Sequence, residues 1–174
     1  MSAFALALWH DYFITVAQVS ATLAGLLFVG LTISLGHVLA GNGYMSRAFV
    51  ALFLQFEMLL IGIFGIVPGQ PVRVVGAEFI VTGLAILIGT SIFVYNFPEH
   101  ENSVLGSRGP RMVRTVLAWI ATMAPVIAGA GLIADWPSAL YFLVPAQIAS
   151  LYLSIGNAWV FAVEIPRRMR QDPK

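Results

Sequence analysis

Five long apolar runs leave this chain few folds. They cover about residues 12–39, 47–67, 76–95, 112–134 and 138–163. Crossing a hydrocarbon core of ~30 Å takes about 20 helical residues, and each run supplies that length. None alternates polar and apolar residues in strand fashion, which excludes a transmembrane β-barrel. In lipid the backbone has to satisfy its own hydrogen bonds, so the runs read as helices. Turn chemistry separates them: Gly41-Asn42-Gly43, then Pro68-Gly69-Gln70-Pro71, then Asp135-Trp136-Pro137. The expected fold is all-α: one integral membrane bundle of five transmembrane helices over residues 1–174, with a cytoplasmic loop at 96–111 and a basic cytoplasmic tail at 164–174.

The basic residues set the orientation. Five crossings place Arg47, Arg108, Arg111, Arg114, Arg167, Arg168, Arg170 and Lys174 on one side and Arg73 alone on the other. The positive-inside rule then gives an N-out, C-in topology in a bacterial inner membrane, with Arg167, Arg168 and Arg170 at the lipid headgroups. Aromatic residues fit the same frame: Trp9, Tyr12, Trp136 and Tyr141 at the outer boundary, Tyr44, Tyr95 and Trp159 at the inner one. Counted from Leu8, the first run exceeds 30 residues, or roughly 48 Å as one helix. It is expected to tilt, bend or begin as an interfacial segment, with His10-Asp11 as the break. Ala5-Leu6-Ala7 has the look of a cleavage site, but no basic n-region or apolar run precedes it, so the first helix reads as an uncleaved signal-anchor.

Composition excludes much chemistry. Charged residues are 10% of the chain and cysteine is absent, which removes disulfides, thiol catalysis and cysteine metal sites. There is no phosphate-binding loop, no serine–histidine–acid set and no paired-acid arrangement. The histidines His10, His37 and His100 lie far apart, and Glu99-His100-Glu101 makes a poor metal shell. The expectation is no enzyme, no cofactor, no metal and no nucleic-acid partner.

What the helices do offer is close packing. The first carries Ala17, Ala21, Gly25, Thr32 and Gly36 on one face; the fourth carries Ala121, Ala124, Ala128 and Gly131; the fifth carries Ala146, Ser150, Ser154 and Ala158. Small residues let backbones approach in lipid, either within the chain or across an interface with a partner. Pro125 and Pro145 sit inside the fourth and fifth runs, where each favours a kink.

Glu57 stands out among the intramembrane polar residues. It lies near the bilayer midplane, roughly 15 Å from either end of its run. An ionised carboxylate there is costly, so it should be protonated, paired or facing water. Thr22, Ser20, Ser150 and Gln147 are its candidate partners by depth. Gln55, two residues away, points about 200° from it, so the second helix needs protein on two sides. Gln18, Gln147 and Asn157 read as buried amides bonded between helices. Glu78 and Asp135 fall near the outer boundary and Glu164 near the inner one, where it is within reach of Arg167 or Arg168.

Three segments carry a likeness. They are Trp9-His10-Asp11-Tyr12-Phe13 with Ala24-Gly25-Leu26-Leu27-Phe28-Val29; Val67-Pro68-Gly69-Gln70 with Gly76-Ala77-Glu78; and Asn157-Ala158-Trp159-Val160-Phe161-Ala162-Val163-Glu164. Together the chain resembles a group of small bacterial membrane proteins, some of which are labelled modulators of the FtsH protease. The resemblance implies an inner-membrane location and draws attention to Glu78 and Glu164; Glu57 lies outside the matching segments. The functional expectation is a non-enzymatic membrane protein that packs against itself or other membrane proteins, as a homo-oligomer, accessory subunit or regulator. The alternative is a channel or carrier for protons, ions or a small solute that uses Glu57.

Overall fold

The computed structural model describes residues 6, 8–36, 44–96, 108–164 and 167. Helix α1 is His10–Ile33, α2 Tyr44–Ile66, α3 Val72–Asn96 and α4 Arg108–Ile133. The fifth span changes helical form along its length: a 3₁₀ turn at Pro137–Phe142, helix α5 at Leu143–Trp159 and a π-helical turn at Val160–Glu164. Five helices are long and apolar enough to cross a membrane, no strand occurs among the described residues, and the protein is a multi-pass membrane protein.

The long first run is interrupted by a turn at Ser34, beyond which Leu35 and Gly36 are helical again. Helix α1 has 24 residues, roughly 36 Å. It stops at Ser34, whose amide is shared between the Gly30 and Leu31 carbonyls at 3.2 Å each. The Ser34 hydroxyl leaves its own helix and donates to the Phe161 carbonyl. At the other end, the outer one in the orientation expected from the basic residues, Leu6 and Trp9 fold onto the core, and Trp9 meets Tyr12 and Tyr141 edge-on with centroids 5.0 and 4.9 Å apart.

Helix α2 packs against all four other helices, so it occupies the centre of the bundle. The core forms tiers along it. Phe13, Ile61, Phe79, Ala128 and Leu132 fill the outer tier; Val16, Met58, Ala124 and Ala146 come next; Leu54, Ala121, Ala149 and Leu153 follow; Leu27, Ala51 and Phe161 close the inner end. In lipid such tiers hold by contact between well-packed atoms, since burial from hydrocarbon brings little hydrophobic gain.

The tightest crossing joins α3 to α4. A side chain at Gly76 would put its Cβ 2.7 Å from the Gly129 carbonyl, and one at Gly129 would strike the Gly76 carbonyl in return. Gly83 lies one heptad along, where a Cβ would meet Val126 Cγ2 at 2.7 Å and the Thr122 carbonyl at 3.0 Å. Helices α1 and α2 close in the same manner, since a Cβ on Gly62 would sit 2.8 Å from Ala17 and from the Phe13 carbonyl.

The two prolines behave differently from each other. Pro125 lies inside α4, as its sequence position suggests. Pro145 does not break a helix interior: it is the third residue of α5, directly after the 3₁₀ turn. Its missing N–H falls in a first turn, where amides lack intrahelical partners anyway. Between α4 and the fifth span Asp135 adopts φ 56°, a left-handed conformation that short polar side chains tolerate. It lets the Trp136 amide reach the Gly131 carbonyl at 2.7 Å and close the helix end.

Candidate functional site

Polar side chains in the bundle fall into two groups on opposite sides of α2. Gln55 and Glu57 are both fully buried, and two residues of helix turn them about 200° apart. Gln55 faces α5. Its Nε2 donates to the Ser150 Oγ at 2.8 Å and to the Ser154 hydroxyl, both of them fully buried. About two turns before Gln55 on α2, Arg47 donates through Nε and Nη2 to Asn157 Oδ1 at 3.2 and 3.1 Å. Arg47 is 93% buried by the bundle, since only 7% of it is exposed; it turns into the protein instead of serving only as a headgroup anchor. With the Ser34 contact to Phe161, these bonds form a polar seam that ties α1, α2 and the fifth span together. Ser20 and Gln147 are also buried, and the Ser20 hydroxyl and the Gln147 Oε1 have no hydrogen-bond partner.

Glu57 stands apart from this seam. Neither carboxyl oxygen has a hydrogen-bond partner among the described residues. The four candidates matched to it by depth do not serve: Ser150 is engaged by Gln55, Thr22 is exposed and bonded to the Gln18 carbonyl, and neither Ser20 nor Gln147 bonds to it. Sequence depth placed those residues at the right level but on the wrong side of α2. Phe49 and Phe53, eight and four residues before Glu57, meet Phe93 of α3, Phe49 stacked on it and Phe53 edge-on, and lie tilted against each other. Glu57 continues that face.

The small-residue stripes divide cleanly. Those of the fourth and fifth helices are spent inside the bundle, because Ala121, Ala124, Ala128, Ala146, Ser150 and Ser154 are all buried. On α1 only Ala17 is used internally, against Gly62. Ala21, Gly25 and Thr32 face outward, as does Gly36 beyond the turn at Ser34, and among the described residues nothing lies within 4 Å of where a Cβ would stand on Gly25 or Gly36. Gln18 corrects the sequence reading: it is exposed on this outward face, and its side-chain amide has no partner among the described residues. The neighbouring threonines are satisfied, with Thr22 and Thr32 each donating to the carbonyl four residues earlier at 2.8 Å.

No family model, curated protein or solved structure matches this chain.

The ends of the bundle add less. A cavity of about 320 Å³ opens at the outer end between Leu6, His10, Gly65, Ile66, Gln70 and Val75, and Glu57 is not part of its lining. Glu78 is half-buried with an unpartnered Oε2. Trp136 and Tyr141 are exposed at this end, and Tyr95 and Trp159 at the other. Arg167 is exposed; Arg168, Arg170, Lys174, His37 and the 99–101 segment lie outside the described residues. No grouping of three metal-ligating side chains occurs among the described residues. Sequence reading missed the glycines that set the helix crossings, Gly62, Gly76, Gly83 and Gly129. The seven-residue spacing of Gly76 and Gly83 within the third run was the signal that could have found that pair; Gly62 and Gly129 carry no such spacing within their own runs.

Proposed function

We propose that this chain is a non-enzymatic membrane protein that works by lateral association, through the outward face of α1, with a second copy or another membrane protein. The observation that carries the reading is the exposure of Ala21, Gly25, Thr32 and Gly36 around an unpartnered Gln18. An amide facing lipid is costly and gains from a polar partner on another helix, and small residues let that helix approach closely. The other two stripes are already occupied within the chain, which leaves α1 as the free one. The positive-inside pattern supports an N-out, C-in orientation in a bacterial inner membrane. The resemblance to modulators of a membrane protease adds such a protease to the classes of partner. Full burial of Glu57, away from the outer cavity, favours association over a channel or carrier built on that residue.

The test is Gly25→Leu. In mild detergent the native chain is expected to run as an oligomer or with a co-purifying membrane protein, and Gly25→Leu to release the monomer while leaving the helical content unchanged. A lone monomer in both preparations would overturn the reading.

A further inference from the structure

Pro125 creates a specific hydrogen-bond deficit. It has no N–H, so the Ala121 carbonyl four residues earlier loses its intrahelical donor. Ala121 is fully buried and Pro125 is buried with it. Deep in a bilayer such a carbonyl has to be re-satisfied by a neighbouring side chain or by a local adjustment of the helix.

Glu57 is the complementary surplus, with its carboxyl fully buried and neither oxygen partnered. Two lines of geometry bring the two together. The first is depth. Leu54 shares a core tier with Ala121, Met58 with Ala124, and Ile61 with Ala128. Helices α2 and α4 therefore run parallel with a constant stagger, and Glu57 stands level with the turn from Ala121 to Pro125. The second is direction. Around α2, Glu57 lies about 40° from Phe53 and about 60° from Leu54. Phe53 faces α3, while Leu54 sits with α4. The side chain thus enters the junction of α2, α3 and α4, the side of α4 on which Pro125 interrupts the helix.

We propose that the Glu57 carboxyl, in its neutral form, donates its hydroxyl hydrogen to the Ala121 carbonyl. Only the protonated acid can do so, since a carboxylate would set one acceptor against another. The contact is a proton-bearing latch between the central helix and the proline break of α4. It is independent of the association face on α1.

The test uses the full chain in detergent micelles, with reversible unfolding and infrared difference spectroscopy as readouts. Glu57→Leu is expected to lower the folding equilibrium constant about threefold to tenfold, the range of interhelical hydrogen bonds in membranes. Glu57→Gln keeps a donor and is expected to lower it less than twofold. Pro125→Ala restores an amide to Ala121, so Glu57→Leu made in that background is expected to cost markedly less. An equal loss in both backgrounds overturns the proposal. The infrared arm needs no destabilised variant: the native spectrum minus that of Glu57→Gln is expected to show a protonated-carboxyl C=O stretch. Absence of that band also overturns the proposal.

Discussion

Gly129→Ala adds one methyl group where two backbones touch. The new Cβ would collide with the Gly76 carbonyl and stand 2.9 Å from Ile80 Cγ1 and 3.0 Å from Phe79 Cβ. A carbonyl belonging to a helix backbone cannot rotate aside as a side chain does, so α3 and α4 have to separate. Overpacking of this kind costs about 1–3 kcal/mol, and a gap of 0.5–1 Å along the crossing forfeits roughly a quarter to a half of each contact's attraction. Gly25→Ala makes the same chemical change on α1 where nothing lies within 4 Å, and there the better helix propensity of alanine, up to about 1 kcal/mol, is the only intramolecular effect. Titration of the native chain and both variants with sodium dodecyl sulfate in mixed micelles, followed by circular dichroism, is expected to move the midpoint down for Gly129→Ala and leave it level or raised for Gly25→Ala. Gly76→Ala should behave like Gly129→Ala, and the double variant should cost less than the two together, because helices already separated admit a second methyl group more easily. Equal midpoints for Gly129→Ala and Gly25→Ala would refute the argument that backbone contact holds this pair.

Two more outcomes follow from the seam and the topology. Gln55→Leu removes the donor shared by Ser150 and Ser154 and is expected to lower stability by about 1 kcal/mol in the same titration; no change would show that the seam contributes nothing. Reporter fusions placed after Arg73 and after Lys174 should report periplasm and cytoplasm respectively, and one compartment for both would refute the five-span orientation.

The spans were legible because they depend on a sum over about 20 residues, which local detail does not alter. Helix breaks were less so: the apolar run through Leu39 hides the turn at Ser34, whose hydroxyl reaches Phe161 far along the chain. The opposed directions of Gln55 and Glu57 followed from helix geometry alone, but their partners did not. Depth can be read from residue number, whereas azimuth depends on which neighbour each helix takes, and that choice is fixed by the glycine crossings at Gly62, Gly76 and Gly129. Gln18 shows the same gap from the other side. Polarity suggested burial, yet its position on α1 turns it away from every helix of its own chain.

Helix α1 is fastened to the fifth span at both ends, through Trp9 and Tyr141 outside and through Ser34 and Phe161 inside. A strut held at two points cannot swing or roll freely, so the face that carries Gly25 is presented in one orientation before any partner arrives. Glycine and alanine on that face also have no side-chain rotamers to freeze. Docking at the proposed interface would therefore forgo most of the ordering entropy that weakens association between mobile segments.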